Sequence, residues 1–257
     1  MSISSDKYRI GKVHITFTNP DDAKKRIENA ALNGQGGYVC VSNMRMVKYA
    51  GKNPEYANLM EQSLLNVPDG MPLVWCGHLW GHKEVARVMG FELMDLLLKS
   101  GNKSVPQYFL GDTQDVLDKL ITKYRNDFGS NIAGAYSPPF AEVDEFDYES
   151  IAKMITDSGA KIVWTAMRSP KQDFFNRKLT EIKPDIVCVG VGRAFRLAIG
   201  EFKDVPKAAK AFGLSGIWLR RTSLWNTLSW YFQSCFYLAY YFLQIVFSRL
   251  VGKKSNE

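Results

Sequence analysis

Strand-like apolar runs alternate with segments of helical periodicity between residue 8 and about residue 200. The clearest runs cover residues 38–42, 106–110, 161–166 and 185–192. Continuous runs of this kind are typical of strands that are buried on both faces of a parallel sheet. An earlier segment, residues 8–17, has room for one or two further strands. The alternation predicts an α/β fold with a doubly wound, mostly parallel sheet, as in Rossmann-like proteins.

Several helix starts are marked by residues that favour helix N-termini. Asn19 or Asp21 can cap a first helix. The sequence Asn53-Pro54-Glu55 places a cap, a proline and an acid in the order that is typical of a first helical turn. Periodicity predicts two longer helices, over residues 114–128 and 148–158.

One acidic residue is distinguished by its neighbours. Asp69 lies between Pro68 and Gly70, with Pro72 shortly after, so we predict a rigid, sharply turned loop over residues 65–72. Two interpretations are open from these residues alone. Asp69 is either a carboxylate held for general-base catalysis or a turn aspartate that caps the following helix.

Polar clusters follow several of the predicted strands: Asn43, Gly111-Asp112, residues 168–173 and residues 190–193. The carboxyl ends of parallel strands meet at one edge of a sheet, where open α/β sheets bind ligands, so these clusters should converge. The turn at Gly111-Asp112 leads into a helix and can hold a phosphate on free backbone N–H groups, although a plain connection capped by Asp112 fits equally well. The spacing Gly190-x-Gly192 lacks the third glycine of a dinucleotide fingerprint and indicates close backbone packing.

The histidines and cysteines do not form a recognisable metal motif. His78 and His82 have the i, i+4 spacing of a zinc pair, but the central glutamate of HExxH is missing and Gly81 weakens the helix. We therefore predict no metal site and no cofactor. The four cysteines are scattered, and we interpret them as reduced core residues: Cys40, Cys76, Cys188 and Cys235.

Composition and charge narrow the class of partner. The 257-residue chain is 46% hydrophobic and 23% charged, which is an ordinary globular composition. Its net charge of +7 and its pI of about 9.1 favour an anionic partner. The basic residues are spread out and no nucleic-acid-binding signature is present, so we expect phosphorylated ligands or lipid head groups and no nucleic acid. The N-terminus lacks the apolar region of a signal peptide, and none is expected.

The C-terminal segment differs from the rest of the chain. Residues 222–248 contain no charged side chain, yet their polar residues recur at steps of three or four and form one stripe of a helix. We favour one or two amphipathic helices that lie in the cytoplasmic leaflet; a spanning or re-entrant segment, or a stripe that faces a partner subunit, are the alternatives. The predicted domains are 1–205 and a membrane-associating appendage, 206–257. The membrane contacts are assigned to basic flanks and aromatic residues: Arg220, Arg221, Trp225, Trp230, Phe236 and Arg249.

Motifs along the first domain occur in an order that resembles one known family. They are Val41-Ser42-Asn43-Met44, Pro68-Asp69-Gly70-Met71-Pro72, Arg87-Val88-Met89-Gly90, Phe109-Leu110-Gly111, Ser137-Pro138-Pro139-Phe140, Pro170-Lys171-Gln172-Asp173 and Val189-Gly190-Val191-Gly192-Arg193-Ala194-Phe195. This order is similar to that of the WecG/TagA/CpsF family of bacterial glycosyltransferases, and the resemblance covers about residues 8 to 205. The first two motifs, as they stand in this sequence, look more like those of the exopolysaccharide-assembly members of the family than those of its other branches.

The resemblance implies an activity and a set of site residues. Enzymes of this family transfer a sugar from a UDP-sugar to a polyprenyl-diphosphate-linked acceptor at the cytoplasmic face of the membrane. It makes Asp69 the candidate catalytic base, and Asn43, Arg87 and Gln172 match positions that line the family's active site. The motifs add further candidate substrate-binding residues: Ser42, Gly111, Asp112, Asp173, Gly190, Gly192 and Arg193. Three positions depart from the family pattern and bear on the donor sugar: Val41, Asp173 and Ile217.

The reaction expected from this resemblance is an inverting transfer in which Asp69 takes the proton of the acceptor hydroxyl. The departing UDP would be stabilised by arginines and helix N-termini without a metal. The main alternative is a membrane-bound, nucleotide-binding scaffold of a polysaccharide assembly complex that has lost catalysis. A nucleotide-dependent oxidoreductase is disfavoured because no N-terminal glycine-rich fingerprint is present. The donor sugar, the linkage and a homo-oligomeric state stay open.

Overall fold

The computed structural model describes residues 6–202 together with three residues of the C-terminal segment, Ala239, Phe242 and Leu243. These three are helical and exposed. The predicted membrane contacts lie outside the described residues: Arg220, Arg221, Trp225, Trp230, Phe236 and Arg249. The domain boundary at residue 205 and the amphipathic appendage therefore stay predictions. Among the described residues, no helix has the length and apolar character needed to cross a membrane.

The centre of the fold is a six-stranded sheet in which every neighbouring pair is parallel. Its strands, in spatial order β4-β3-β8-β7-β5-β6, are β4 (Leu65–Pro68), β3 (Gly37–Ser42), β8 (Val187–Gly190), β7 (Ile162–Ala166), β5 (Gln107–Gly111) and β6 (Ile132–Tyr136). A separate antiparallel hairpin precedes them, formed by β1 (Lys7–Ile10) and β2 (Val13–Thr16). The prediction of a parallel α/β sheet is confirmed.

Helices cover both faces of this sheet. One face carries α2 (Met44–Lys52), α3 (Pro54–Gln62), α4 (Met71–Leu79), α7 (Tyr148–Ser158) and α8 (Lys171–Ile182). The other face carries α1 (Pro20–Leu32), α5 (Gly90–Ser100), α6 (Gln114–Phe128) and α9 (Ala194–Ala198). Successive strand residues alternate between the two cores: Tyr38 and Cys40 belong to the first and Val39 to the second. Because both faces are covered, most strand residues are apolar, which is why several strands appear as continuous apolar runs in the sequence.

The predicted helix starts agree with the structure. Asn19 caps α1 by accepting a hydrogen bond from the Asp22 N–H, and Asn53 caps α3. The helices predicted over residues 114–128 and 148–158 are confirmed with those bounds. Cys40, Cys76 and Cys188 are buried free thiols, as expected for reduced core residues; Cys235 lies outside the described part of the chain.

The prediction of a loop over residues 65–72 holds only for Asp69 and Gly70, because Met71 and Pro72 already belong to α4. Residues 65–68 form strand β4, and all of them are buried. Asn66 and Pro68 interrupt the apolar pattern. The strand nevertheless accepts both residues because of its contacts with the rest of the fold. The Asn66 side chain donates to the His14 carbonyl oxygen at 2.8 Å, and its backbone N–H donates to the Thr16 hydroxyl at 3.1 Å. The hairpin thus covers the edge of β4, an edge strand, where a proline is acceptable.

Candidate active site

Asp69 lies one residue beyond the end of β4, at the carboxyl edge of the sheet. Its backbone N–H donates to the Ser42 carbonyl oxygen at 2.7 Å, which continues the ladder past the last strand residue. Since Ser42 and Pro68 are in register, Asp69 and Asn43 leave adjacent strands side by side. On the other side, the Val88 N–H donates to the Pro68 carbonyl oxygen at 2.9 Å, which brings the segment before α5 alongside. The backbone of Asp69 is therefore held from two directions.

The structure decides against helix capping as the role of Asp69. The cap residue of α4 is Gly70, and no side-chain hydrogen bond caps that helix. The Asp69 carboxylate is therefore not used as a helix cap, unlike the capping side chains of Asn19, Asn43 and Asn53. The capping interpretation therefore does not agree with the structure, and the catalytic interpretation of Asp69 stays a prediction.

The surroundings of Asp69 favour its protonated form more than water does. Burial raises the pKa of its carboxyl to about 7, the charge of Arg87 opposes this rise, and the charge of Glu92 adds to it. The residue as a whole keeps part of its surface open to solvent. A carboxylate whose pKa lies near neutral pH has the basicity that suits general-base catalysis.

Asn43 and Ser42 follow one another but face different surroundings. Asn43 caps α2, where its Oδ1 accepts from the N–H groups of Arg45 and Met46. It remains partly exposed at the sheet edge, next to Asp69. Ser42 is buried, and its hydroxyl donates to Asn66 Oδ1 at 2.5 Å. The structure therefore does not bring the Ser42 side chain to the open edge; its hydroxyl joins β3 to β4 instead.

Gln172 holds the turn that follows β8. Its Oε1 accepts a hydrogen bond from the Gly192 N–H at 3.1 Å, and its Nε2 donates to the Ser169 hydroxyl at 3.0 Å. A Cβ at residue 190 would lie 2.7 Å from Gln172 Nε2, so a larger residue there would require the Gln172 side chain to move. Close packing is thus present at Gly190, against the Gln172 side chain and not against backbone, whereas a Cβ at Gly192 would approach Gln172 Oε1 only to 3.9 Å. The side chain of Arg193, the next residue after this turn, is exposed at the same edge.

Asp173 is turned away from the open edge. It is 2% exposed, and its Oδ2 accepts a hydrogen bond from the Tyr56 hydroxyl at 2.7 Å. Burial raises the pKa of its carboxyl to about 6, against the hydrogen bond from Tyr56 and the charge of Arg45. The expectation that Asp173 touches substrate does not agree with this placement. Its hydrogen bond with Tyr56 joins α8 to α3.

Gly111 and Asp112 form the turn between β5 and α6. Gly111 has φ +110° and Asp112 has φ +59°, so this turn needs a left-handed backbone at two consecutive residues. The Asp112 carboxylate accepts from Arg196 Nε and Nη2, at 3.0 and 2.7 Å. Its carbonyl oxygen accepts from the Ser137 hydroxyl at 2.6 Å. The turn is therefore tied both to α9 and to the loop after β6.

Three residues that hydrogen-bond to segments at this edge were not predicted from the sequence: Arg45, Arg196 and Tyr56. Arg45 Nη2 donates to the Ser169 carbonyl oxygen at 3.1 Å and thereby joins α2 to the loop after β7. Arg168, in that loop, is exposed and has φ +69°. The carboxyl edge thus carries cationic side chains on several loops, as an anionic ligand requires.

The two histidines of the candidate zinc pair have other partners. His78 Nε2 lies 2.8 Å from the Val85 carbonyl oxygen, and His82 Nδ1 lies 2.6 Å from Glu84 Oε1. Within the described part of the chain, no group of three or more His, Cys, Asp or Glu side chains is arranged to hold a metal ion.

The sequence of this chain is similar to those of known proteins. One relative is the N-acetylglucosaminyldiphosphoundecaprenol N-acetyl-beta-D-mannosaminyltransferase of Bacillus spizizenii (strain ATCC 23059 / NRRL B-14472 / W23). It is 29% identical to this chain over 198 residues, which cover 76% of this chain and 74% of the relative. The model of the glycosyl transferase WecG/TagA/CpsF family matches residues 8–250. The chain belongs to the WecG/TagA/CpsF family of glycosyltransferases.

Proposed function

We propose that this glycosyltransferase moves a sugar from a UDP-sugar to a polyprenyl-diphosphate-linked saccharide, with inversion at the anomeric carbon. The observation that carries the proposal is the placement of Asp69. Its carboxyl is held at the ligand-binding edge of the sheet, has a pKa near 7 and caps no helix. The name of the Bacillus relative, a transferase that acts on a sugar linked to undecaprenyl diphosphate, supports an acceptor of the same chemical class.

The proposed step is a single displacement. Asp69 takes the proton of the acceptor hydroxyl as that oxygen attacks the anomeric carbon of the donor sugar. The bond between the anomeric carbon and the diphosphate oxygen breaks, and UDP leaves with the electron pair. General-base help of this kind is worth roughly 10²–10⁴-fold in rate. A raised pKa makes Asp69 a stronger base than an ordinary aspartate while leaving a substantial fraction of it ionised at neutral pH.

The negative charge of the departing UDP needs a positive environment. Arg87 lies close enough to Asp69 to lower the pKa of its carboxyl, so its charge reaches the reacting centre. Arg168 and Arg193 are exposed on the turns after β7 and β8, the strands next to the centre of the sheet. Cationic groups of this kind stabilise a leaving diphosphate by charge-assisted hydrogen bonds, and the proposed mechanism needs no metal.

The donor and the cellular setting are also part of the proposal. An N-acetylhexosamine donor is favoured, since the Bacillus relative is named as an N-acetylmannosaminyltransferase. The motif variant around Asn43 and Asp69 favours a role in exopolysaccharide or other cell-surface glycan assembly. A lipid-linked acceptor places the enzyme at the cytoplasmic face of the plasma membrane, where the aromatic C-terminal segment would associate with the bilayer.

The test is a transfer assay with the full-length chain in detergent. A panel of UDP-sugars is offered together with a polyprenyl-diphosphate-linked N-acetylhexosamine, and elongated lipid product is detected by mass. We expect one UDP-N-acetylhexosamine to be consumed. UDP binding without turnover of any donor or acceptor would contradict the proposal and favour the catalytically inactive scaffold.

A further inference from the structure

Ser169, in the loop between β7 and α8, joins three segments of the carboxyl edge. Its carbonyl oxygen accepts a hydrogen bond from Arg45 of α2, and its hydroxyl accepts one from Gln172 Nε2 at 3.0 Å. Gln172 Oε1 in turn accepts from the Gly192 N–H at 3.1 Å. This loop residue therefore links the segments that follow β3, β7 and β8, which are neighbours at the centre of the sheet.

The Ser169 hydroxyl also lies beside a buried acid. A hydroxyl that accepts a hydrogen bond still has its own proton to donate. Burial raises the pKa of the Asp173 carboxyl to about 6, and the hydroxyls of Tyr56 and Ser169 and the charge of Arg45 oppose this rise. Of the two carboxylate oxygens, Oδ2 accepts from Tyr56, whereas Oδ1 is buried without a hydrogen-bond partner among the described residues. Asp173 thus offers an acceptor for the proton of Ser169.

We propose that Ser169 is a positioning residue of the donor site, because its hydroxyl donates to ionised Asp173 and accepts from Gln172. The buried carboxylate thereby fixes the direction in which the Gln172 amide faces, since each hydrogen bond in such a chain strengthens and orients the next. The amide keeps its Oε1 toward the Gly192 N–H, and Arg193 is the next residue of that turn. The inference rests on the UDP-sugar donor of the proposed function and adds residues that shape the donor site without touching the substrate.

Protonation of Asp173 would break this chain of hydrogen bonds. A protonated carboxyl carries a proton of its own, which it can donate to the Ser169 hydroxyl. The hydroxyl would then accept from Asp173, and its hydrogen bond from Gln172 would weaken. The ionised form is therefore the one that supports the turn at Gly192, and this turn should loosen as pH falls through about 6.

The charged and titratable groups around Asp173 come from three other elements. Arg45 of α2 and Tyr56 of α3 act on its carboxyl, and the charge of Asp173 acts on Tyr38 and Cys40 of β3. Burial raises the pKa of both phenols and of the thiol, so these groups stay neutral near pH 6. A guanidinium keeps its charge throughout this range. Asp173 is therefore the member of this cluster whose charge changes near pH 6.

The first test follows the Gly192 amide of the full-length chain in detergent by NMR after 15N-glycine labelling, without any ligand. All samples carry Asp69→Asn, which removes the other carboxyl whose pKa is near neutral. The amide resonance should shift with pH around a midpoint of about 6. With Ser169→Ala added, that shift should disappear. Ser169→Thr keeps the hydroxyl and should restore it.

The second test measures UDP affinity at pH 8 in an otherwise wild-type chain. Ser169→Ala should bind UDP about threefold to tenfold more weakly, the range expected for the loss of one hydrogen bond, and Ser169→Thr should bind as the wild type does. The matched control is Ser100→Ala, which removes a hydroxyl that donates to the Leu96 carbonyl oxygen at the C-terminal end of α5. This control should leave UDP affinity unchanged.

Asp173→Asn tests the other end of the chain of hydrogen bonds. An amide does not ionise, so the Gly192 resonance should not titrate near pH 6 in this variant. UDP affinity at pH 8 should fall by about the same factor as in Ser169→Ala. Because the two side chains act in series, the double variant should bind UDP no more weakly than either single variant. A loss equal to the product of the two single losses would overturn the proposed connection.

The outcomes separate this inference from the proposed function. Wild-type UDP affinity in Ser169→Ala, or a Gly192 resonance that still titrates near pH 6 in that variant, would overturn the inference and leave the donor in place. Equal losses in Ser169→Thr and Ser169→Ala would also overturn it, because the hydroxyl would not be the cause. Failure of the wild type to bind UDP, with a Gly192 amide that titrates only when the hydroxyl is present, would overturn the proposed donor and support the positioning role.

Discussion

Replacing Gly190 by alanine perturbs the contact between Gln172 and the turn after β8 at one defined point. The new Cβ would lie 2.7 Å from Nε2, 3.0 Å from Cδ and 3.1 Å from Cγ of Gln172. Carbon atoms in proteins pack best at about 3.5–4.0 Å, so the side chain must move. Gln172 is 3% exposed, which leaves it little space to do so. Its hydrogen bond with the Gly192 N–H should be lost with that movement.

The expected cost follows from these two effects. Overpacking a buried site costs about 1–3 kcal/mol, and the lost hydrogen bond costs about 0.5–1.5 kcal/mol. The free energy of unfolding should therefore fall by roughly 2–4 kcal/mol, which for a domain of this size lowers Tm by roughly 5–10 °C. Urea denaturation and thermal melting measure this directly. UDP binding should weaken as well, because the turn carries Gly192 and Arg193.

Two further variants make this prediction refutable. Gly51→Ala makes the same chemical change inside α2, where nothing lies within 4 Å, and should stabilise the protein by about 0.5–1 kcal/mol. Combining Gly190→Ala with Gln172→Ala removes the side-chain atoms that the new Cβ meets, so the loss in the double variant should be smaller than the sum of the two single losses. A Gly190→Ala protein as stable as the wild type, or strictly additive losses, would refute the assigned packing.

Further predictions concern the acids and cations of the edge. Because Asp69 must be ionised to act and its pKa is about 7, kcat/KM should fall as pH drops through 7, and a profile that is flat between pH 6 and 8 would exclude it as the base. The raised pKa of Asp173 means that the folded state binds its proton more tightly than the unfolded chain, so stability should fall by up to about 3 kcal/mol as pH rises from 4 to 6. Asp173→Asn should remove that part of the fall in urea titrations and preserve the contact with Tyr56. Arg196→Ala frees the Asp112 carboxylate and should raise the donor KM more than it lowers kcat, which steady-state kinetics at varied UDP-sugar will show.

The sequence predicted those parts of the fold that depend on local pattern. Strands buried on both faces appear as apolar runs, and helix starts such as Asn53-Pro54-Glu55 carry their own signal. Strand β4 escaped because its polar Asn66 is satisfied by residues of the hairpin, a contact that spans 52 positions. Pro68 also made a strand difficult to predict, because among the strands of a sheet only an edge strand accepts a proline.

The residues of the candidate site were likewise predictable where their signal is local, and were missed where it depends on distant contacts. Asp69 was identifiable because its setting between a proline and a glycine is local. Arg196 was not, because the charge it neutralises at Asp112 lies 84 positions earlier in the chain. Tyr56 was missed for a similar reason, since its partner Asp173 is 117 positions away and its apolar ring is typical of a core residue. Residue type alone also did not reveal that the fold buries the side chains of Ser42 and Asp173.

The central claim is that the Asp69 carboxylate is the base of the transfer reaction. Its most direct test is the single-turnover rate of sugar transfer by Asp69→Asn at pH 8, with UDP affinity and Tm measured on the same preparation. The amide keeps the size of the side chain and removes its basicity, so the rate should drop by about 10²-fold or more while UDP binding and Tm stay at or above the wild-type values. A rate within a few-fold of the wild type would contradict the assignment.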